Sequence, residues 1–225
     1  MARKGNKRHV KSISAPKYFG LERKRKKYVV KQNPGRFSKS ESVPLLLAVE
    51  KITGISIRAE LKHTIKSGNV KVNFKVIKDT KFPVGLNDIV EFSDGKTYSI
   101  SISRNAKFTF SEITPAPSER MQKVVERYKV KDGKTMVRLY DGTIINNDEA
   151  RVNDTVKIDK DNNISKVIKL GIGSKCFVYS GVHSGETGVV KEILAGTFNR
   201  AASVRIESED GNVFNTLLRN IMAID

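Results

Sequence analysis

The chain contains no tryptophan and only one cysteine in 225 residues. A single cysteine excludes an internal disulfide framework and any zinc site built from several thiolates. Cys176 lies in the apolar run "CFVY", which predicts a buried structural thiol. The three histidines, His9, His63 and His183, are far apart and lack ligand spacing. We therefore expect no metal.

Long apolar runs are also scarce. The run "VPLLLAV" at 43–49 is about a third of the length that spans a bilayer. The basic N-terminus is not followed by the apolar segment of a signal peptide. The sequence therefore predicts a soluble intracellular protein with no membrane partner.

Acidic residues are few, and the charge is unevenly distributed. Lys and Arg total 42 against 24 Asp and Glu, which gives a net charge of +18. Residues 1–39 alone carry a net +13, with Glu22 as their one acid. Such an imbalance favours nucleic acid as the partner, because binding to phosphates releases condensed counterions.

Residues 1–40 are predicted to be a basic N-terminal extension that cannot build a core of its own. Its four aromatic residues are Tyr18, Phe19, Tyr28 and Phe37. One interpretation is a solvated tail. The favoured one is a segment that follows phosphates and either stacks its rings on bases or packs them into a crevice. We expect that residues 1–39 can be deleted without unfolding the β domains.

Residues 41–93 predict two short helices followed by strands. Ser42 and Ser56 are candidate N-caps of the helices, and Ile57, Leu61 and Ile65 recur along the apolar face of the second. Arg58, Lys62 and Lys66 recur on a neighbouring face, which is either solvated or turned to RNA. The alternating run "NVKVNFKVIKD" then predicts a strand or a tight hairpin.

Residues 94–170 predict a central β domain, in which Pro115 and Pro117 mark a connection between units. Asp132-Gly133 and Asp141-Gly142 are strong hairpin signals, and a short helix is expected around 118–127. Residues 171–225 predict about five short strands, which suit a small barrel.

The stretch "VYSGVHSGETGVV" at 178–190 raises the question of a phosphate-binding loop. A nucleotide loop needs a lysine followed by Ser or Thr and a helix after it, and neither is present. Gly181, Gly185 and Gly188 are therefore interpreted as a structural turn. No catalytic motif occurs elsewhere, so the sequence predicts no enzyme, no cofactor and no small-molecule substrate.

Several of these stretches resemble one family. "GIGSKCFVYSGVHSGETGVVKEI" resembles the KOW motif of Src-homology-3-like barrels, and residues 41–92 resemble the αL-type RNA-binding module. "MARKGNKRHVKSISAPKYFGLERKRKKYV", "ITPAP", "RVNDTVKID" and "DGNVFNTLLRNIMAI" resemble blocks of the archaeal and eukaryotic small-subunit ribosomal protein S-four-e family, in the same order. One departure is Phe74, which stands where the module's hairpin usually carries glycine, a costly place for a bulky residue.

The resemblance implies a multidomain α+β fold: an extended basic N-terminus, an αL-type module, a central β domain and a C-terminal Src-homology-3-like KOW barrel. It implies a non-catalytic constituent of the small subunit of cytoplasmic ribosomes, with small-subunit rRNA and neighbouring ribosomal proteins as partners. The residues expected to bind RNA are Arg3, Lys4, Lys7, Arg8, Lys11, Lys17, Tyr18, Arg23, Lys24, Arg25, Lys26, Lys27, Lys31, Arg36, Arg58, Lys62, Lys66, Asn73 and Lys75.

Two alternatives remain. A KOW-containing transcription or translation factor would bind RNA or a polymerase transiently. An RNA-modifying enzyme with an αL-type module would need a catalytic domain, for which the assigned segments leave no room.

Overall fold

The structure is a computed structural model that describes residues 9–225 apart from residues 23, 25 and 132. Within that range the chain is mostly β-structure, with helices α1 (Leu45–Thr53) and α2 (Arg58–Lys66). The first ten strands are β1 (Val10–Lys11), β2 (Tyr28–Val29), β3 (Ser42–Pro44), β4 (Val70–Val72), β5 (Lys75–Val76), β6 (Pro83–Gly85), β7 (Ile89–Phe92), β8 (Thr97–Ile102), β9 (Phe108–Glu112) and β10 (Glu119–Lys129). The remaining strands are β11 (Thr135–Leu139), β12 (Ile144–Asn146), β13 (Thr155–Asp159), β14 (Ile164–Ile168), β15 (Lys175–Val178), β16 (Thr187–Leu194), β17 (Ser203–Ser208), β18 (Val213–Leu217) and β19 (Ile221–Ala223).

Helix α1 begins without the serine cap expected from the sequence. Ser42 lies in β3, which pairs with β6, and the helix starts three residues later at Leu45. The backbone N–H of Leu45 donates to the carbonyl of Phe82 at 2.8 Å. A hydrogen bond to a distant segment therefore satisfies a backbone N–H group at the start of the helix, where a side-chain cap was expected to do so.

Helix α2 also lacks a side-chain cap, so the prediction for Ser56 is wrong. The helix begins at Arg58, after Ile57, which is 63% exposed and not part of the apolar face. Leu61 and Ile65 are fully buried, as their four-residue spacing predicts.

A five-stranded antiparallel sheet follows α2, in the order β5-β4-β7-β8-β9. The pairing of β7 with β8 carries this sheet across residues 93 and 94, where the sequence placed a domain boundary. Residues 97–112 are thereby hydrogen-bonded to the strands before them. The division into 1–40, 41–93, 94–170 and 171–225 stays a prediction.

The central sheet has the order β12-β11-β10-β13-β14. Its long strand β10 occupies the segment for which a helix around 118–127 was predicted, and that prediction is wrong. The strand pairs with β11 along one part of its length and with β13 along another. Partners on both sides outweigh the helical preference of a Glu-, Arg- and Lys-rich segment.

The C-terminal sheet has the order β18-β17-β16-β15-β19 and encloses its own small core. Five strands were expected in this region, and the last of them, β19, pairs back with β15. Cys176 is completely buried in this core, as predicted, and burial raises the pKa of its thiol to about 11.

The described part of the N-terminal extension is folded onto the body of the protein. Phe19 and Val29 belong to the largest hydrophobic core, together with residues of α1, α2 and the sheet β5-β4-β7-β8-β9. Phe37 is also buried, and its ring packs against Tyr140 at 5.8 Å between ring centroids. The extension therefore contributes side chains to this core, and the removal of residues 1–39 without unfolding the β domains stays a prediction.

Candidate nucleic-acid interface

The clearest basic surface lies on α2 and the hairpin after it. Lys62 and Lys66 are exposed on α2, on a face next to that of the buried Leu61 and Ile65. Neither lysine forms an ion pair with any residue that the structure describes. Unpaired lysines on a rigid helix form a surface that attracts phosphate.

The hairpin between β4 and β5 turns through Asn73 and Phe74, with φ of 49° and 68°. Two positive φ values in a two-residue loop are typical of the type I′ turn. Phe74 thus adopts the left-handed conformation in place of glycine, and its ring lies 5.2 Å from the ammonium nitrogen of Lys160. Lys75, the next residue, is exposed and extends the basic surface of α2.

Asn73 does not contribute to that surface, because its amide is used inside the protein. Its Nδ2 donates to Asp88 at 2.7 Å, and its Oδ1 accepts from the backbone N–H of Ile89 at 2.9 Å. The side chain is buried. We therefore remove Asn73 from the residues expected to meet RNA and assign it to the support of the hairpin.

Arg36 is likewise committed to internal contacts. Its guanidinium pairs with the buried carboxylates of Asp88 and Asp141. Burial raises the pKa of Asp88, and the nearby Arg36 opposes that rise. Burial also acts to raise the pKa of Asp141, but the Arg120 guanidinium and the hydrogen bonds from Thr143 together lower it. An arginine that compensates two buried acids is a structural residue, so Arg36 also leaves the expected interface.

The extension presents most of its described lysines to solvent. The exposed ones are Lys11, Lys17, Lys24, Lys26 and Lys27, and Lys31 is half-buried. Lys26 lies 3.6 Å from Glu50 of α1, an ion pair at the surface that contributes little to stability. Arg3, Lys4, Lys7, Arg8, Arg23 and Arg25 lie outside the described residues.

Two tyrosines of the extension have different surroundings. Tyr18 is half-buried, and its ring packs against Phe108 of β9 at 5.9 Å. Tyr18 therefore packs into a crevice, which was one of the two interpretations for the aromatic residues of the extension, the other being stacking on bases. Tyr28 is 45% exposed, with Lys27 over one face at 5.6 Å and His9 at its edge. Of the two, Tyr28 is the ring open to a base.

A second group of cations contains the predicted Arg58 together with Lys51 and Lys107, which the sequence analysis missed. Lys51 of α1 and Arg58 of α2 line a cavity of about 180 Å³ under the extension. Burial, and then the charge of Lys107, lower the pKa of Lys51. The Nε of Arg58 is buried and has no hydrogen-bond partner among the described residues. Only the folded chain brings these residues together, since Lys107 comes from the turn between β8 and β9.

The glycine turn of the C-terminal sheet is a packing element. Gly181 and Gly185 have φ of 101° and 85°, and a Cβ at Gly185 would overlap the backbone of Ser103 and Arg104. Gly188 has no such φ, but a Cβ there would collide with Glu207 on β17. The turn is therefore closely packed against the loop between β8 and β9.

Comparison with known proteins assigns the chain to a family. Residues 4–36 match the RS4NT (NUC023) domain, residues 50–90 match the S4 domain, and residues 94–165 match ribosomal family S4e. The small ribosomal subunit protein eS4 of Aeropyrum pernix is 31% identical over 100% of this chain and 94% of its own length. The chain belongs to the eS4 family.

Other eS4 proteins support the same assignment. That of Methanocaldococcus jannaschii is 32% identical over 96% of this chain and 93% of its own length. The crystal structure of the 30S ribosomal protein S4e from Thermoplasma acidophilum shares the fold, with a TM-score of 0.71 at 23% identity. The alignment covers 82% of this chain and 95% of that one. The resemblance of the sequence to the S-four-e family is confirmed.

No helix among the described residues is long and apolar enough to cross a membrane. No group of His, Cys, Asp or Glu side chains in the same part of the chain is arranged to hold a metal ion.

Proposed function

We propose that this eS4-family chain is a non-catalytic structural constituent of the small subunit of cytoplasmic ribosomes and binds rRNA. The observation that carries the proposal is the similarity to eS4 proteins over the whole chain. The exposed lysines that lack an acidic partner supply the physical basis. In this proposal neighbouring ribosomal proteins are further partners, and no cofactor or small-molecule substrate is involved.

Within that function, residues 41–93 act as an αL-type RNA-binding module. Lys62, Lys66 and Lys75 follow one another along α2 and the adjacent hairpin, all exposed and without an ion-pair partner among the described residues. The helix and the hairpin that carry them pack on the main core, so the backbone positions of the three lysines are fixed before RNA arrives. Such pre-organisation favours a fixed position on the RNA.

The lysines of the extension supply further phosphate contacts in the same proposal. Since the extension is anchored by Phe19 and Phe37, Lys11, Lys17 and Lys24 are held near the body of the protein. The C-terminal sheet acts as the KOW barrel of the Src-homology-3-like type. It serves as a spacer and a docking surface, with Gly181, Gly185 and Gly188 in a structural role.

The runner-up function is a KOW-containing factor that binds RNA or a polymerase transiently. Sedimentation separates the two. Ribosomes from cells that express the tagged chain are washed at increasing salt and centrifuged through sucrose. A constituent stays with the small subunit at one copy per particle through a high-salt wash. Release by a moderate wash at sub-stoichiometric amounts would favour a factor.

The lysine surface is tested by charge removal rather than by deletion of the extension. We expect the triple variant Lys62→Gln, Lys66→Gln and Lys75→Gln to weaken binding to deproteinised small-subunit rRNA. Removing one lysine–phosphate pair lowers the slope of log K against log salt by about one, so the slope should fall by about two to three.

The matched control removes the same charge from another exposed site. Lys129, Lys131 and Lys134 lie at the end of the β10–β11 hairpin, exposed and without ion pairs among the described residues. Their triple glutamine variant should keep the wild-type slope. If both triple variants lower the slope by the same amount, the overall charge of the protein, and not the α2 surface, binds the RNA.

A further inference from the structure

The β16–β17 hairpin ends in a tip, residues 195–202, that projects from the C-terminal sheet. Residues 195–201 are all exposed. Thr197 and Arg200 form an isolated bridge, with the N–H of each bonded to the carbonyl of the other at 2.8 and 3.2 Å. Phe198 and Asn199 are thus the two residues at the apex of a hydrogen-bonded turn.

The tip is tightly closed. A Cβ at Gly196 would lie 2.9 Å from the backbone nitrogen of Ala202 and 3.1 Å from the carbonyl oxygen of Arg200. A side chain at position 196 would therefore push the two arms apart. The bridge and this close approach hold the apex in one conformation, which limits the entropy cost when it binds a partner.

Phe198 is fully exposed at this apex, with a relative accessibility of 104%. All ten phenylalanines lie among the described residues, and the other nine are buried or half-buried. Folding therefore gives no reason for an aromatic residue here. A fully exposed ring on a rigid turn is available to a partner.

The charges around the ring favour an anionic partner. No Asp or Glu occurs from residue 193 to residue 206. On the strands below the tip the charges are paired across β16 and β17, Lys191 with Glu207 and Arg205 with Glu192. Arg200 has no acidic partner among the residues described, so its charge is uncompensated beside Phe198.

The small apolar surface of the tip favours RNA over protein as the partner. Apart from Phe198 the tip is made of small and polar residues, "AGTFNRAA". One ring is far short of the roughly 800 Å² per partner of a stable protein interface. It is, however, the platform that a single unpaired base needs, and an adjacent arginine suits the phosphate that follows the base.

We propose that the β16–β17 tip is a separate rRNA contact, in which Phe198 stacks on an unpaired base and Arg200 binds an adjacent phosphate. This inference rests on the proposed function, since it requires that the chain bind rRNA. The tip lies at the far end of β16 from the Gly181–Gly188 turn, about 25 Å along the strand. It would extend the interface beyond the α2 surface and the extension.

The absence of tryptophan makes Phe198 directly testable. Phe198→Trp places the only indole of the chain at the apex and keeps the ability to stack. Its emission is followed during titration with deproteinised small-subunit rRNA, while filter retention measures binding independently. We expect strong quenching that saturates together with retention.

Affinity gives the second readout. Phe198→Ala should weaken binding about 5- to 150-fold, the effect of removing one stacked base. Arg200→Gln should lower the salt slope by about one. Phe198→Ala leaves folding unaffected because the side chain is fully exposed. The control pair is Ile144→Trp and Ile144→Ala, on the exposed edge strand β12, which should show no quenching and no loss of affinity.

Three outcomes would overturn the proposal and differ in meaning. In the first outcome the wild-type chain retains rRNA, the emission of the Phe198→Trp variant does not change and Phe198→Ala does not weaken binding. This result would reject the tip contact alone. If the emission of the Phe198→Trp variant does not change on binding deproteinised rRNA but shifts to the blue in intact small subunits, the tip contacts a neighbouring protein. Absence of rRNA retention by the wild-type chain would reject the proposed function and the tip together.

Discussion

The guanidinium of Arg36 bridges two buried carboxylates that come from different parts of the chain. Its Nη2 lies 3.0 Å from Oδ2 of Asp88, and its Nη1 lies 3.3 Å from Oδ2 of Asp141. Arg120 pairs with the same oxygen of Asp141. One cation of the extension thus links the residue before β7 to the β11–β12 turn of the central sheet. The basic N-terminus therefore contributes to the structure as well as to the charge.

Removal of this bridge should destabilise the protein. Arg36→Ala leaves Asp88 without its cation and Asp141 with Arg120 alone, and breaking a buried pair costs about 3 kcal/mol or more. We expect that loss in the free energy of unfolding, measured with urea. The control is Arg138→Ala, which removes an exposed pair with Glu126 and should cost less than about 1 kcal/mol. Similar small losses for both variants would contradict the structural role of Arg36.

This bridge also shows what a sequence can and cannot predict. Asp141-Gly142 was predicted as a hairpin, and Gly142 has the expected positive φ of 80° between β11 and β12. Turn chemistry is local, so it can be predicted from two residues. The contact of Asp141 with Arg36 joins residues 105 positions apart, and no local pattern contains it.

The same limit applies to the candidate interface. The four-residue spacing of Lys62 and Lys66 correctly placed both on the exposed side of a helix. Arg36 was predicted to meet RNA as part of the basic extension, and Asn73 as part of the hairpin that resembles the αL-type module. Their partners, buried acids supplied by distant segments, decide otherwise. Phe198 was not predicted as a site residue because a single phenylalanine in a short loop is normally part of a core.

Lys123 should make stability rise with pH in the alkaline range. Its ammonium is buried between two sheets and donates to the carbonyls of Leu218, Arg219 and Ile221, at 2.9, 3.2 and 2.7 Å. Burial lowers its pKa from 10.5 to about 8. Between these values the unfolded chain binds a proton that the native chain does not, so raising the pH favours the native state.

The measurement is the difference in unfolding free energy between the wild-type chain and Lys123→Met. Other titrating groups are common to both proteins and cancel. The difference should move in favour of the wild type by up to about 3 kcal/mol between about pH 8 and pH 10.5, and stay flat from about pH 6 to 7. A flat difference throughout would mean that the ammonium is not held in a buried site.

The left-handed Phe74 should be coupled to Lys160. A bulky residue at φ of 68° costs about 1 to 2 kcal/mol, and the contact with the Lys160 ammonium at 5.2 Å offsets part of it. Phe74→Gly should therefore be more favourable by about 0.5 to 1 kcal/mol in a Lys160→Gln background than in the wild type. Urea unfolding of the four proteins gives the coupling. Strict additivity would show that Lys160 does not stabilise the ring.

Two glycines with the same backbone conformation allow the packing of the C-terminal turn to be measured apart from its strain. Gly185 and Gly173 both have φ of 85°, but only Gly185 is packed against the backbone of Ser103 and Arg104, whereas the space beside Gly173 is open. Gly173→Ala should cost about 1 kcal/mol, from the unfavourable backbone conformation alone. Gly185→Ala should cost about 2 to 4 kcal/mol, because the loop between β8 and β9 must also move. Equal losses in urea unfolding would mean that the turn is bent but not closely packed against that loop.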